Sequence, residues 1–197
     1  MRVLGIDPGS RWTGWGVLEG KAGAVKQLGV GVVVAGRGEL SARLGAIATE
    51  VERLIEEWRP ESVAVERAFV GKNSASALRI GEVRGAVLAT AGRAGLPVVD
   101  YPPATVKAAV TGYGVAEKGA VARAIAQLLG GAPEAGDATD ALAVALCHLR
   151  HASFRALLRD AAPSAASQAR RRLDGRPGDP ADPAGGTFRR LVRRGSR

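Results

Sequence analysis

Four carboxylates, Asp7, Glu66, Asp137 and Asp140, are the residues of this chain best placed to do chemistry. Asp7 directly follows the apolar run Val3-Leu4-Gly5-Ile6, and Glu66 directly follows Ser62 to Val65, so each closes a segment with the pattern of a buried strand. Open α/β sheets form their sites at the carboxyl ends of strands. Asp137 and Asp140 stand three apart at the start of a helical stretch, a spacing that puts both on one helix face. Four acids sharing a small space repel and raise one another's pKa values unless a cation compensates them. Hard oxygen ligands favour Mg2+ or Mn2+. Two such ions about 4 Å apart can activate a water on one side of a phosphodiester and stabilise the departing oxygen on the other. The chemistry implied is metal-assisted phosphoryl hydrolysis.

Each acid also has a plainer reading. Acids in a first helical turn offset the helix dipole and cap free amides, which would account for Asp137 and Asp140 taken alone. Asp7 before Pro8-Gly9 suits a turn, and Glu66 is the acid that such accounts explain least. His148 lies eight residues beyond Asp140, about 12 Å along a helix, too far to share the same ions. It reads as structural, and His151 as a helix-end cation favoured by the dipole. The single cysteine, Cys147, excludes an internal disulfide and cannot build a thiolate metal site.

The elements that must position these residues follow from periodicity. Met1 to Asp7 predicts a buried strand, DPGSRWTG a chain-reversing turn, Thr13 to Leu18 a second strand and Gly29 to Val34 a third, its glycines marking a bulge or close approach. Glu39 to Trp58 carries Leu40, Leu44, Ile47, Val51, Leu54 and Ile55 at helical spacing and is stopped by Pro60. A strand over Ser62 to Val65, a polar loop at Gly71-Lys72-Asn73, a helix over Ser74 to Arg93 and a strand over Leu96 to Val99 come next. Helices are expected over Thr105 to Val110, Glu117 to Leu129 and Asp137 to His151. Three hairpin-linked strands followed by alternating helices and strands predict an α/β fold, a ribonuclease-H-like mixed five-stranded sheet flanked by helices. A right-handed crossover would make the strands ending at Asp7 and Glu66 parallel neighbours.

A chain of 197 residues with 46% hydrophobic content suits one well-buried domain, taken as residues 1–158. Residues 159–197 are rich in Ala, Arg, Gly and Pro and predict a basic, disordered tail. No apolar run approaches the roughly 20 residues that span a bilayer, and the N-terminus has no cleavable-signal pattern, so the chain reads as cytoplasmic with no membrane partner. The net charge of +9 suggests a polyanionic partner. Much of it sits in the tail, whose last 37 residues hold nine Arg against three Asp.

Three segments, GIDPGSRWTGWGV, VAVERAFVGKNSASALRIGEVRGAV and DATDALAVALCH, occur in an order and spacing that closely resemble the RuvC family of Holliday-junction resolvases, over residues 1–152. The resemblance implies a homodimer that makes paired symmetric nicks in a four-way DNA junction, in bacterial recombination and repair, leaving 5′-phosphate and 3′-hydroxyl ends. It assigns the catalytic, metal-holding acids to Asp7, Glu66, Asp137 and Asp140, with two Mg2+ or Mn2+ ions per site. It also implies a base-stacking or wedging role for Phe69, and phosphate contacts for Lys107 and Lys118 in ATVKAAVTGYGVAEKGAV. Arg11 and Thr13 of the first turn, and Lys72 and Asn73 of the polar loop, are further candidates. A flexible ammonium can track a phosphate without reading sequence. Small residues Ala77, Gly81 and Gly85 suit close helix approach, and the family places much of its dimer interface there. A branch-migration motor is the partner expected from the family, with no motif to mark its contact surface.

Two other classes compete. DPGSRWTG also resembles the phosphate-binding turn of actin-like ATPases and sugar kinases, but those need two lobes around a nucleotide. A related nuclease acting on structured RNA, or a non-catalytic junction-binding protein, would share the basic residues. Only Asp7, Glu66 and the DATD pair speak against the non-catalytic reading.

Overall fold

A computed structural model describes residues 1–21, 24–67, 74–131 and 136–161. Phe69, Lys72, Asn73 and nearly all of the expected tail lie outside the described residues. The central strand β1 (Arg2–Asp7) is apolar almost throughout, and Val3, Leu4 and Ile6 are fully buried on its two faces. Such a run suits a strand covered on both sides. It pairs antiparallel with β2 (Trp12–Lys21), which pairs antiparallel with β3 (Ala24–Val34). On its other edge β1 pairs parallel with β4 (Ser62–Glu66), which pairs parallel with β5 (Val98–Tyr101). The order is β3-β2-β1-β4-β5, a mixed sheet of the expected ribonuclease-H-like type.

Helices α1 (Leu40–Trp58) and α2 (Ser74–Arg93) cover one face, where Ile47, Val51, Leu54, Val83 and Val87 pack on Leu4, Ile6 and Val17. Helices α3 (Pro103–Thr111), α4 (Lys118–Leu129) and α5 (Gly136–Ala161) cover the other, with Val106, Val121, Ile125, Leu142 and Leu146 against Val3, Leu18 and Ala64. The α1 helix ends where Arg59 turns left-handed (φ 46°) and its amide donates to the Ile55 carbonyl, just before Pro60. Helix α3 begins two residues earlier than expected, because proline is tolerated at a first helical position, where no amide donor is needed.

Strands β2 and β3 run longer than the apolar alternation predicts. Their outer ends are tied by the ladder itself, down to Lys21 opposite Ala24, with a bulge that leaves Leu28 unmatched between Gly29 and Gln27. Gly29 and Gly31 leave room for the rings of Trp58 and Trp15. The largest departure is α5, which continues ten residues past His151. The added sequence, ASFRALLRDA, is dominated by strong helix formers and has no glycine or proline to stop it. His151 is therefore not a helix-end cation; its ring stacks on Tyr101, with centroids 5.4 Å apart.

Helix α5 lies directly on the sheet because β1 and β2 carry glycine where it crosses them. A Cβ on Gly5 would come within 2.2 Å of the Ala141 carbonyl oxygen, and one on Gly14 within 1.9 Å of the Asp137 carbonyl oxygen. Gly5 pairs with Gly16, and Gly14 with Asp7, so these glycines form a trough across β1 and β2. Among the described residues, no helix is long and apolar enough to cross a membrane.

Candidate active site

The register fixes the first two acids. Ile6 pairs with Val65 in the parallel ladder, so Asp7 and Glu66 emerge side by side at the carboxyl ends of adjacent strands. The crossover expected from the order of elements therefore places them together. The glycine trough then fixes the second pair, because it seats the first turn of α5 over β2, and Asp7 itself lies opposite Gly14. Asp7, Asp137 and Asp140 each present a carboxylate oxygen, all within 4.8 Å of one another. Glu66 joins through a hydrogen bond with Asp7.

Electrostatics show what such crowding costs. Burial, the negative charges of Glu66 and Asp140, the hydrogen bond with Glu66 and the charge of Asp137 push the Asp7 carboxyl up to about 8. Glu66 is also raised, chiefly by burial and then by Asp140, against the opposing pull of its bond with Asp7 and of Lys118 and Lys107. A carboxyl held protonated near neutral pH beside three other acids is a site short of positive charge. Its donors are all carboxylate oxygens, the set that fits a hard divalent cation.

Part of that charge comes from the lysines. The ammonium of Lys118 stands 2.5 Å from Asp140 Oδ2, and the bond to Asp140 raises its pKa. Lys107 and Lys118 line, with Glu66, Asp140 and Val106, a hollow of about 160 Å³ beside the acids. Arg11 is exposed on the first turn. Thr13 is 1% exposed and its hydroxyl donates to the Gly9 carbonyl at 2.9 Å. That bond fastens the turn.

His148 sits away from the acids, buried, with Nε2 3.1 Å from Ser62 Oγ and Nδ1 3.0 Å from Tyr101 Oη. Burial first, then the nearby Arg155 and His151, bring its pKa down to about 4. It is a neutral, satisfied core residue. Cys147 is likewise buried, its thiol pushed up to about 12 by burial. The residues that sequence reasoning missed are Gly5, Gly14 and Gly16. The available signal was their alternate spacing in strands, glycines that share one face.

Fold and acid cluster together put the chain among the ribonuclease-H-like nucleases. The profile of the family described as crossover junction endodeoxyribonuclease RuvC matches residues 3–148. A crossover junction endodeoxyribonuclease RuvC from Chlorobaculum parvum is 49% identical over 152 residues, 76% of this chain and 81% of that one. One from Syntrophomonas wolfei is 42% identical over 168 residues, 84% of this chain and 98% of its own length. Among solved structures, T. thermophilus RuvC in complex with a Holliday junction substrate matches with a TM-score of 0.74 and 39% identity, covering 78% of this chain and 96% of that one. The chain belongs to the RuvC family.

Proposed function

We propose that this chain is a structure-specific endonuclease that resolves four-way DNA junctions by paired, metal-dependent nicks leaving 5′-phosphate and 3′-hydroxyl ends. The observation that carries the reading is the convergence of acids from three elements, β1, β4 and the start of α5, on one sheet edge in a member of this family. Asp7, Glu66, Asp137 and Asp140 would hold two divalent ions, Mg2+ or Mn2+. When bound, such ions supply a water-derived nucleophile near neutral pH and neutralise charge on the departing oxygen.

The chain's own residues do the rest. Asp7 would have to give up its proton, and with it the bond to Glu66, to hold a cation; the parallel pairing of β1 and β4 keeps the two carboxylates side by side. Lys118 restrains Asp140 and, with Lys107, presents ammonium groups to the phosphates beside the cut. Arg11 offers a further phosphate contact on the first turn. Phe69, by family resemblance, would stack at the crossover, with Lys72 and Asn73 near the backbone.

A junction has approximate two-fold symmetry, so two copies of the chain suit matched cuts. Helix α2 supports that assembly. Val83, Val87 and Ala91 turn into the core, whereas Gly81 and Gly85 have nothing among the described residues within 4 Å of a Cβ, and Leu78 is 66% exposed. The domain limits proposed are 1–158 for the nuclease and 159–197 for a basic tail that adds nonspecific DNA affinity. The setting is the bacterial cytoplasm, and a branch-migration motor is the expected partner.

Cleavage of labelled four-way junctions, plain duplex and structured RNA, with and without Mg2+ or Mn2+, tests the reading. Metal-dependent paired cuts confined to the junction are expected. Equal cutting of plain duplex would contradict it.

A further inference from the structure

We propose that Trp12, backed by Val34, is a stacking platform for a nucleobase of the junction strand being cut. The inference rests on the junction-cleaving reading above and adds a contact on the side of the acids opposite the lysines.

Trp12 opens β2 at the sheet edge that carries Asp7. Side chains alternate along a strand, and the Gly14 and Gly16 positions face α5, so Trp12 points to that same face. Gly14, where the Asp137 carbonyl rests, is two residues away, about 7 Å along a strand. Trp12 is nonetheless 52% exposed, and its cross-strand partner Val34 is 67% exposed. An indole this large left in water beside an acid cluster has an unused apolar face.

The platform is stiff. Thr13 is buried and bonded to the Gly9 carbonyl, and the Ala35 amide donates to the Arg11 carbonyl at 3.1 Å, closing the ladder beyond Trp12 and Val34. Residues 8–13 and 33–38 carry Arg11 and Arg37, both exposed, and no carboxylate. An aromatic face flanked by cations is the combination that binds single-stranded nucleic acid, by stacking on a base and pairing with its phosphates. With the sheet order β3-β2-β1-β4-β5, the acids of β1 and β4 lie between this platform and the lysines that follow β5. A strand crossing the edge would then be held on both sides of the scissile phosphate.

The test compares Asp7→Asn, Asp7→Asn/Trp12→Ala and Asp7→Asn/Trp12→Phe, which remove cleavage from the readout. Binding of a four-way DNA junction, thermal midpoint and tryptophan emission are measured for each. Expected is about a tenfold loss of junction affinity for the Ala variant, recovery to within a few-fold for Phe, and thermal midpoints alike. Saturating junction should quench tryptophan emission in Asp7→Asn, and that quenching should disappear in the Phe variant, which lacks only this indole. Unchanged affinity in the Ala variant, or quenching that survives Trp12→Phe, would overturn the platform while leaving the resolvase reading intact. Failure of Asp7→Asn itself to bind junctions would sink both.

Discussion

Burial first, and then its acidic neighbours, hold Asp7 partly protonated. Its folded pKa, about 8, lies above the ordinary aspartate value of 3.8, so the metal-free folded state binds the extra proton between those values. Stability of the metal-free protein is therefore expected to fall as pH rises through that window. Mg2+ or Mn2+ should reverse the loss, and apparent metal affinity should climb with pH up to about 8 because binding expels the proton. Thermal melts across pH, with and without metal, measure both. His148 works in the opposite sense. Its pKa is lowered from 6.5 to about 4, so the stability it contributes is lost as pH falls between those values. The Asp7→Asn variant removes the first effect and should leave the acid-side loss from His148 in place.

At the scale of elements, the glycine trough decides whether the acids meet at all. A methyl group at Gly14 or Gly5 meets backbone atoms of α5, which cannot swing aside as a flexible side chain can. Gly14→Ala is expected to cost about 1 to 3 kcal/mol of stability, typical of an overpacked core, and to weaken metal binding by moving Asp137 off the cluster. Denaturant unfolding and metal titration would show the two losses together; a change in stability with metal affinity intact would separate the trough from the site. The same trough explains what was legible in the sequence. Strand ends at Asp7 and Glu66 and the helix start at Asp137 and Asp140 followed from local apolar patterns, and the parallel pairing of the strands that end at Asp7 and Glu66 followed from the order of elements. The seating of α5 did not, because a glycine in a strand declares its close neighbour only once the fold brings it near. The buried hydroxyl of Thr13 escaped for the same reason, since its partner is the carbonyl of a turn. The overrun of α5 has a different cause: His151 read as a helix-end cation, while the helix formers beyond it outweighed that signal.

For the molecule as a whole, the predictions concern pairing and charge. Gly81→Arg places a long cation on a face of α2 where, among the described residues, nothing lies within 4 Å of a Cβ, so the fold should survive while sedimentation shows a monomer. Paired cutting of the junction should become single, unmatched nicks. Truncation after Asp160 removes nine Arg, and the fall of DNA binding with salt should become shallower as fewer phosphates are neutralised. An unchanged slope would deny the tail that role.

Glu66 gives the most direct test of the acid cluster, because neither a turn nor a helix cap accounts for it and only the parallel ladder brings it to Asp7. Junction cleavage and junction binding by Glu66→Gln, measured side by side in Mg2+ and in Mn2+, bear on the central claim. Expected is binding close to that of the unaltered chain with cleavage reduced by more than about a hundredfold, beyond the loss usual for an outer-shell partner of a metal. Cleavage at the unaltered rate, with the fold and the junction affinity preserved, would contradict it.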